Sequence, residues 1–242
     1  MSTEDALLSV TNNIYNSFNA NKKITGLFVD FKKAFDLVDH DILLAKLELA
    51  GIRGVAINWF SSFLKNRVQR VRIGNQLSSP IVVRCGVPQG SVLSATLFLI
   101  FINDLLLLRY YSQPKAFADD VAYFYCENSI IEIWEHINED LKLLSDWCFF
   151  NKMKVNVKKT YFVNFSLVNS FNFPSDIIYH SHGCERLSCN CEIVNKSSSM
   201  KYLGIILDEN LNWELHVSSL NKKINSFTRN FYKKKMFVLI NY

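Results

Sequence analysis

The chain has 242 residues, 49% of them hydrophobic and 14% aromatic, with a formal net charge of +5. That apolar share fills a packed core, which excludes a disordered chain and fits one large domain. The mild basicity permits a nucleic-acid partner without establishing one.

Ser2-Thr3-Glu4-Asp5 reads as a capping box opening a helix to about residue 19. A short apolar strand over residues 24–30 ends in Asp30. Asp39 starts a second helix, stopped by Gly51, and a third covers residues 55–64. Residues 68–73 and 81–85 read as strands joined by a polar turn at Gly74-Asn75. Val87-Pro88-Gln89-Gly90 is a loop, and Ser91 caps a long apolar helix to about residue 109. Asn103 and Asp104 interrupt that apolar stretch, which argues against a membrane span. Phe117-Ala118-Asp119-Asp120 follows, between two apolar runs, the pattern of a tight hairpin with both acids at its tip. In the next helix, over residues 129–150, Ile130, Trp134, Ile137, Leu141, Leu144 and Cys148 make one apolar face. Strands over 160–165 and 201–207 flank an irregular polar stretch with room for short strands. Val217, Leu220, Ile224, Phe227 and Phe231 mark a last helix, whose other face is basic from Lys222 to Lys235. Strands and helices mix without strict alternation, so the fold class is α+β.

Folding does not favour two adjacent carboxylates at a hairpin tip. A lone Asp-Asp pair is most often a solvated turn; a third acid, Asp30, also at the end of an apolar strand, changes the balance. If the two strands are neighbours, the acids converge at one rim of the sheet. Hard oxygen donors without imidazole or thiolate suit Mg²⁺, with Mn²⁺ as the alternative. Two such ions about 3.5–4 Å apart serve nucleotidyl transfer.

Further stretches join these acids. They are Phe28 through His40, with Lys33-Ala34-Phe35-Asp36-Leu37-Val38-Asp39-His40 at its end, then Gly86-Val87-Pro88-Gln89-Gly90-Ser91, and Phe101 to Leu105. Asn156-Val157-Lys158-Lys159-Thr160 and Tyr202-Leu203-Gly204 through Asp208 complete the set. In order and spacing they resemble the motifs of reverse transcriptases, in the form found in jockey-like non-LTR retrotransposons. The resemblance covers nearly the whole chain. It implies a right-hand polymerase palm: an antiparallel sheet backed by helices, with partial fingers and the start of a thumb. It divides the chain at residue 207, with palm and residual fingers before and thumb after. By the same resemblance, Asp30, Asp119, Asp120 and the carbonyl of Phe31 hold the metal ions. Phe35 lies under the incoming sugar and disfavours a 2′-hydroxyl. Gln89 and Gly90 touch the nucleotide, Lys159 stands near the leaving pyrophosphate, and Tyr202-Leu203-Gly204 grips the primer. The implied partners are an RNA template, a DNA primer and dNTPs. The family's upstream fingers motifs would precede Ser2, so an N-terminally truncated core is expected, or a non-catalytic remnant that at most binds nucleic acid. Ser94-Ala95 stands where the family usually has Gly-Pro, and Val121 where Thr is frequent.

Other features point less sharply. Asp39 reads as a helix cap rather than an acid–base residue. His180, His182, Cys184, Cys189 and Cys191 offer zinc-ligand types, but Cys-x₄-Cys-x-Cys is not a standard finger, and an irregular loop is expected there. Cys85, Cys126 and Cys148 read as reduced core thiols. With no secretory leader at the polar start, a nuclear or cytoplasmic location is expected.

Overall fold

In the computed structural model, which describes residues 3–167, 171–184 and 191–239, the sheet is built around Lys23–Val29 (β1). All but its first residue are buried. β1 lies between Asp120–Glu127 (β7) and Tyr161–Phe165 (β8), antiparallel to both. Gln113–Phe117 (β6) extends the sheet beyond β7, and Glu192–Lys196 (β10) and Ile177–Tyr179 (β9) extend it beyond β8. Alternate residues of these strands enter two different cores, as the period of two requires. Leu27, Val29, Val121, Tyr123, Tyr125 and Phe162 face the larger core. Its other side is filled from His40–Leu49 (α2), Val92–Ile102 (α4) and Ile130–Phe150 (α5). Ile24, Phe28, Ala122, Phe124, Val163 and Phe165 face the smaller one, with Val10 and Ile14 of Thr3–Asn19 (α1). A sheet covered on both faces explains why β1 reads as a continuous apolar run rather than an alternating one.

Several expectations need correction. The sheet is mixed, because β10 runs parallel to β8. The chain leaves β8, forms β9 at the far edge, and returns by a hairpin into the gap between them. The 68–73 strand is split: Val68–Gln69 (β2) pairs with Ile81–Val82 (β5), and Arg72–Ile73 (β3) with Gln76–Leu77 (β4). All four are exposed, so no core holds them in one ribbon. The 201–207 strand is a hairpin, Ser199–Tyr202 (β11) and Ile205–Asp208 (β12). Leu203 and Gly204 turn it at φ +47° and +89°. Two successive positive φ values are what a tight two-residue hairpin turn demands. Ser2 lies outside the described residues, and Ser91 sits at the start of α4 without a side-chain capping bond.

The apolar helix after Ser91 ends at Ile102 and passes into a 3-10 turn, Asn103–Leu107. Lys46 meets the chain at this junction. Its ammonium donates to the carbonyl of Phe101 at 2.6 Å and to Asp104 at 2.8 Å, and it lies over the Phe101 and Trp147 rings. The Trp147 indole also donates to Asp104 at 3.0 Å. Burial pulls the Lys46 pKa below its usual value, against the pull of the Asp104 charge. Asp104→Ala is expected to cost about 2 kcal/mol, because it removes the charged acceptor shared by the Lys46 ammonium and the Trp147 indole; a denaturant midpoint unchanged from the parent would show that the ion pair does not matter.

The last helix, Glu214–Leu239 (α6), packs on β12. Its apolar row Val217, Leu220, Ile224, Phe227 and Phe231 is exposed, as are Lys222, Lys223 and Arg229. No helix among the described residues is long and apolar enough to cross a membrane.

Candidate active site

Strand register decides where the acids lie. Val29 of β1 is paired with Val121 of β7, so Asp30 and Asp120, one residue further on, are opposite each other at the rim. Both fall in step with Phe28 and Ala122 and therefore project toward the smaller core's side. β6 and β7 are joined at the pair Phe117–Asp120, which leaves Ala118 and Asp119 as the turn, with Ala118 at φ +55°. A cleft of about 450 Å³ opens here, lined by Asp30, Asp120, Lys159, Tyr161, Met200 and Tyr202 among others. Burial raises the Asp120 carboxyl above its ordinary value, and the charges of Asp119 and Asp30 raise it further. Asp120 thus senses both of the other acids.

Asp30 is held from β8's side. The Asn156 backbone N–H donates to the Asp30 carbonyl at 2.7 Å, and its side-chain amide donates to the Asp30 carboxylate at 2.9 Å. The Asp30 N–H donates to Thr160 Oγ1 at 3.3 Å. Asn156 was part of a motif in the sequence but had no role there. The neighbouring bridge between Phe31 and Val155 uses bonds from Asp30 and Lys32, so the Phe31 carbonyl is not consumed by it. Lys159, rather than Lys158, lines the cleft.

Tyr202, at the end of β11, also lines the cleft. Its ring is buried beside Phe28, at 5.6 Å between centroids. Burial and the Asp120 charge push its hydroxyl up to about 12. That hydroxyl has no hydrogen-bond partner among the described residues.

Phe35, Gln89 and Gly90 form a neighbouring group and do not line this cleft. Phe35 stacks on Phe98 at 4.4 Å, which sets the plane of its ring. Gln89 donates to Asp36 at 2.9 Å. Gly86 and Val87 dock on the 35–38 backbone, by Gly86 N–H to the Val38 carbonyl and Val87 N–H to the Phe35 carbonyl. Of the loop's two glycines, Gly86 is the one pressed against another backbone segment of the chain. A Cβ on Gly86 would lie 2.9 Å from the Asp36 carbonyl oxygen, whereas a Cβ on Gly90 meets nothing within 4 Å. The buried Ser94 hydroxyl donates to the Pro88 carbonyl and ties the loop to α4. Asp39 caps α2, accepting from the N–H groups of Asp41 and Ile42 at 3.0 and 3.1 Å. His40 is buried against the Gly86 carbonyl at 2.9 Å, which leaves it a packing role.

The chain has known relatives. Residues 2–207 match the family model of the reverse transcriptase (RNA-dependent DNA polymerase). A probable RNA-directed DNA polymerase from transposon BS of Drosophila melanogaster is 32% identical over 92% of this chain and 24% of that protein. The RNA-directed DNA polymerase from the mobile element jockey of the same species is 26% identical over 91% of this chain and 23% of its own length. The chain thus spans about a quarter of these relatives. Among solved structures, telomerase from Candida tropicalis, in complex with a fragment of telomeric RNA, superposes with a TM-score of 0.55. The identity is 13%, over 87% of this chain and 32% of that one. At that identity the likeness speaks for the fold alone, that of a right-hand polymerase. The matched model takes in both acid-bearing strands and the Gly86–Gly90 loop, and the chain belongs to the reverse transcriptase family.

Proposed function

We propose that the chain is the polymerase core of a non-LTR retrotransposon reverse transcriptase, which joins dNTPs to the 3′-hydroxyl of a DNA primer on an RNA template. The observation that carries the reading is the meeting of Asp30, Asp119 and Asp120 at one rim of the sheet, beside Lys159. Members of the family generally use divalent metal ions. The donors fit one: the acids are oxygen ligands, and their mutual repulsion at Asp120 is what a cation relieves. Asp30, Asp119, Asp120 and the Phe31 carbonyl would hold Mg²⁺, or Mn²⁺ in its place. When bound, such ions activate the 3′-hydroxyl and neutralise charge on the leaving pyrophosphate.

The chain's own residues do the rest. Lys159 offers a positive charge on the leaving-group side of the cleft. Phe35, its ring held by Phe98, presents an aromatic edge that a 2′-hydroxyl would strike. Gln89, steadied by Asp36, and Gly90 contact the nucleotide. Tyr202, Leu203 and Gly204 meet the primer end. Residues 1–207 make palm and residual fingers, and 208–242 begin a thumb whose exposed Lys222, Lys223 and Arg229 suit a phosphate backbone. A nuclear or cytoplasmic location accords with this chemistry.

Asn156 is a positioning residue in this scheme. Asn156→Ala is expected to raise the Mg²⁺ concentration needed for half-maximal activity by about 10–100-fold, as loss of an outer partner of a metal ligand does. A Mg²⁺ titration of incorporation checks it; an unchanged half-saturation point would remove Asn156 from the site. The function itself is tested by parallel incorporation of deoxy- and ribonucleotides on a primed RNA. Mg²⁺-dependent deoxynucleotide incorporation supports it. Nucleic-acid binding without incorporation on any primer–template overturns it.

A further inference from the structure

A second donor set, chemically unlike the first, lies at the far edge of the sheet. Tyr179 at the end of β9 is paired with Glu192 at the start of β10. His180 and Cys191, the next residues outward, therefore face each other across the mouth of the connecting loop. Cys184 folds back to them, with its Sγ 3.4 Å from that of Cys191. Ligand atoms of His180, Cys184 and Cys191 all lie within 4.8 Å of one another, and all three residues are half-buried. A disulfide needs about 2.05 Å between sulfurs. Thiolates on one tetrahedral zinc, at Zn–S of about 2.3 Å, stand about 3.8 Å apart. The observed spacing is close to the second value. The loop is also pinned to α5, because His182 pairs with Asp146 at 2.6 Å and stacks on Phe149 at 4.1 Å.

We propose that His180, Cys184 and Cys191 bind one Zn²⁺ that closes the β9–β10 loop. Two thiolates and an imidazole are soft donors that select zinc over Mg²⁺, so this site does not compete with the carboxylate cleft. Binding releases a proton from each thiol and leaves a fourth position to water or a further donor of the chain. Cys189 is a thiol of the same loop by sequence and lies outside the described residues. Standard finger spacing is not needed for such a site, because the hairpin register sets His180 opposite Cys191 and the loop returns Cys184 to them. A zinc clamp would hold the end of a three-residue edge strand.

The test uses the full chain, purified in reductant without added metal. Elemental analysis is expected to find one zinc per chain. Cobalt exchanged into the site is expected to give a thiolate-to-cobalt charge-transfer band that Cys184→Ser and Cys191→Ser each diminish and Cys85→Ser leaves unchanged. Chelation is expected to lower Tm, with Zn²⁺ and not Mg²⁺ restoring it. Two results overturn the proposal: a wild-type chain that holds no zinc with both thiols free to react, or one in which mass spectrometry finds a Cys184–Cys191 disulfide. Neither depends on polymerase activity, or on the variants folding.

Discussion

Asp119→Asn is expected to lower deoxynucleotide incorporation by at least about 10³-fold, or about 4 kcal/mol of transition-state stabilisation. The variant keeps the size and shape of the side chain. Asp119 sits in an exposed two-residue turn, so no core contact is lost. What is lost is one negative charge among three acids gathered at the rim. Single-turnover extension of a primed RNA, with circular dichroism as the folding control, measures it. A loss under tenfold would remove Asp119 from the metal-holding set.

The neighbouring acid is expected to show a gain in stability beside a loss of activity. The Asp120 carboxyl is raised in the folded chain by burial and then by Asp119 and Asp30. The folded state therefore holds this proton more tightly than the unfolded state. Without a cation, stability falls as pH rises from the ordinary aspartate value of 3.8 through the raised one. Asp120→Asn removes that loss. In chelator at neutral pH its Tm is expected to rise by roughly 1–3 °C, while incorporation collapses. A lower Tm would mean that the acids are not strained against one another.

Gly86→Ala is expected to destabilise the chain by about 2–4 kcal/mol, which adds a left-handed backbone penalty to a packing clash. Gly86 stands at φ +88°, and its added Cβ would meet the Asp36 carbonyl oxygen at 2.9 Å and Cα at 3.0 Å. Both are backbone atoms, so no side chain can rotate out of the way. For a chain of this length the loss corresponds to a Tm lower by roughly 5–15 °C. The same shift would push Gln89 from Asp36 and disturb the backbone of Phe35, so the apparent KM for dNTPs is expected to rise in whatever fraction remains folded. Gly90→Ala serves as the contrast: it has the positive φ without the clash, and it should cost only about 1–2 kcal/mol. Equal effects at the two glycines would show that the Asp36 contact is unimportant.

Much of the fold was legible in the chain. The hairpin at Ala118-Asp119 needs only two apolar runs and a polar break. The helix faces need only a period near 3.6, and α5 occupies the residues its periodicity marks. The Asp39 cap is equally local, since its partners are two and three residues away. Failures came where a distant residue intervened. α4 gives way to a 3-10 turn where Lys46, from another helix, bonds the Phe101 carbonyl. The apolar row of α6 has the spacing of a core face and is exposed, because periodicity records which residues share a face and not what meets it.

The sequence by itself determined the short-range features: turns, caps, helix faces, and the order of motifs that marks the family. Those depend on residues a few positions apart, whose chemistry is read directly. Only the tertiary structure decided which distant residues meet. It put Asp30 opposite Asp120 through strand register and Asn156 on the Asp30 carboxylate. It set Gly86 against Asp36 and gathered His180, Cys184 and Cys191 at a hairpin mouth. Such meetings follow from sheet pairing and two-sided packing, which are properties of the whole chain and of no segment within it.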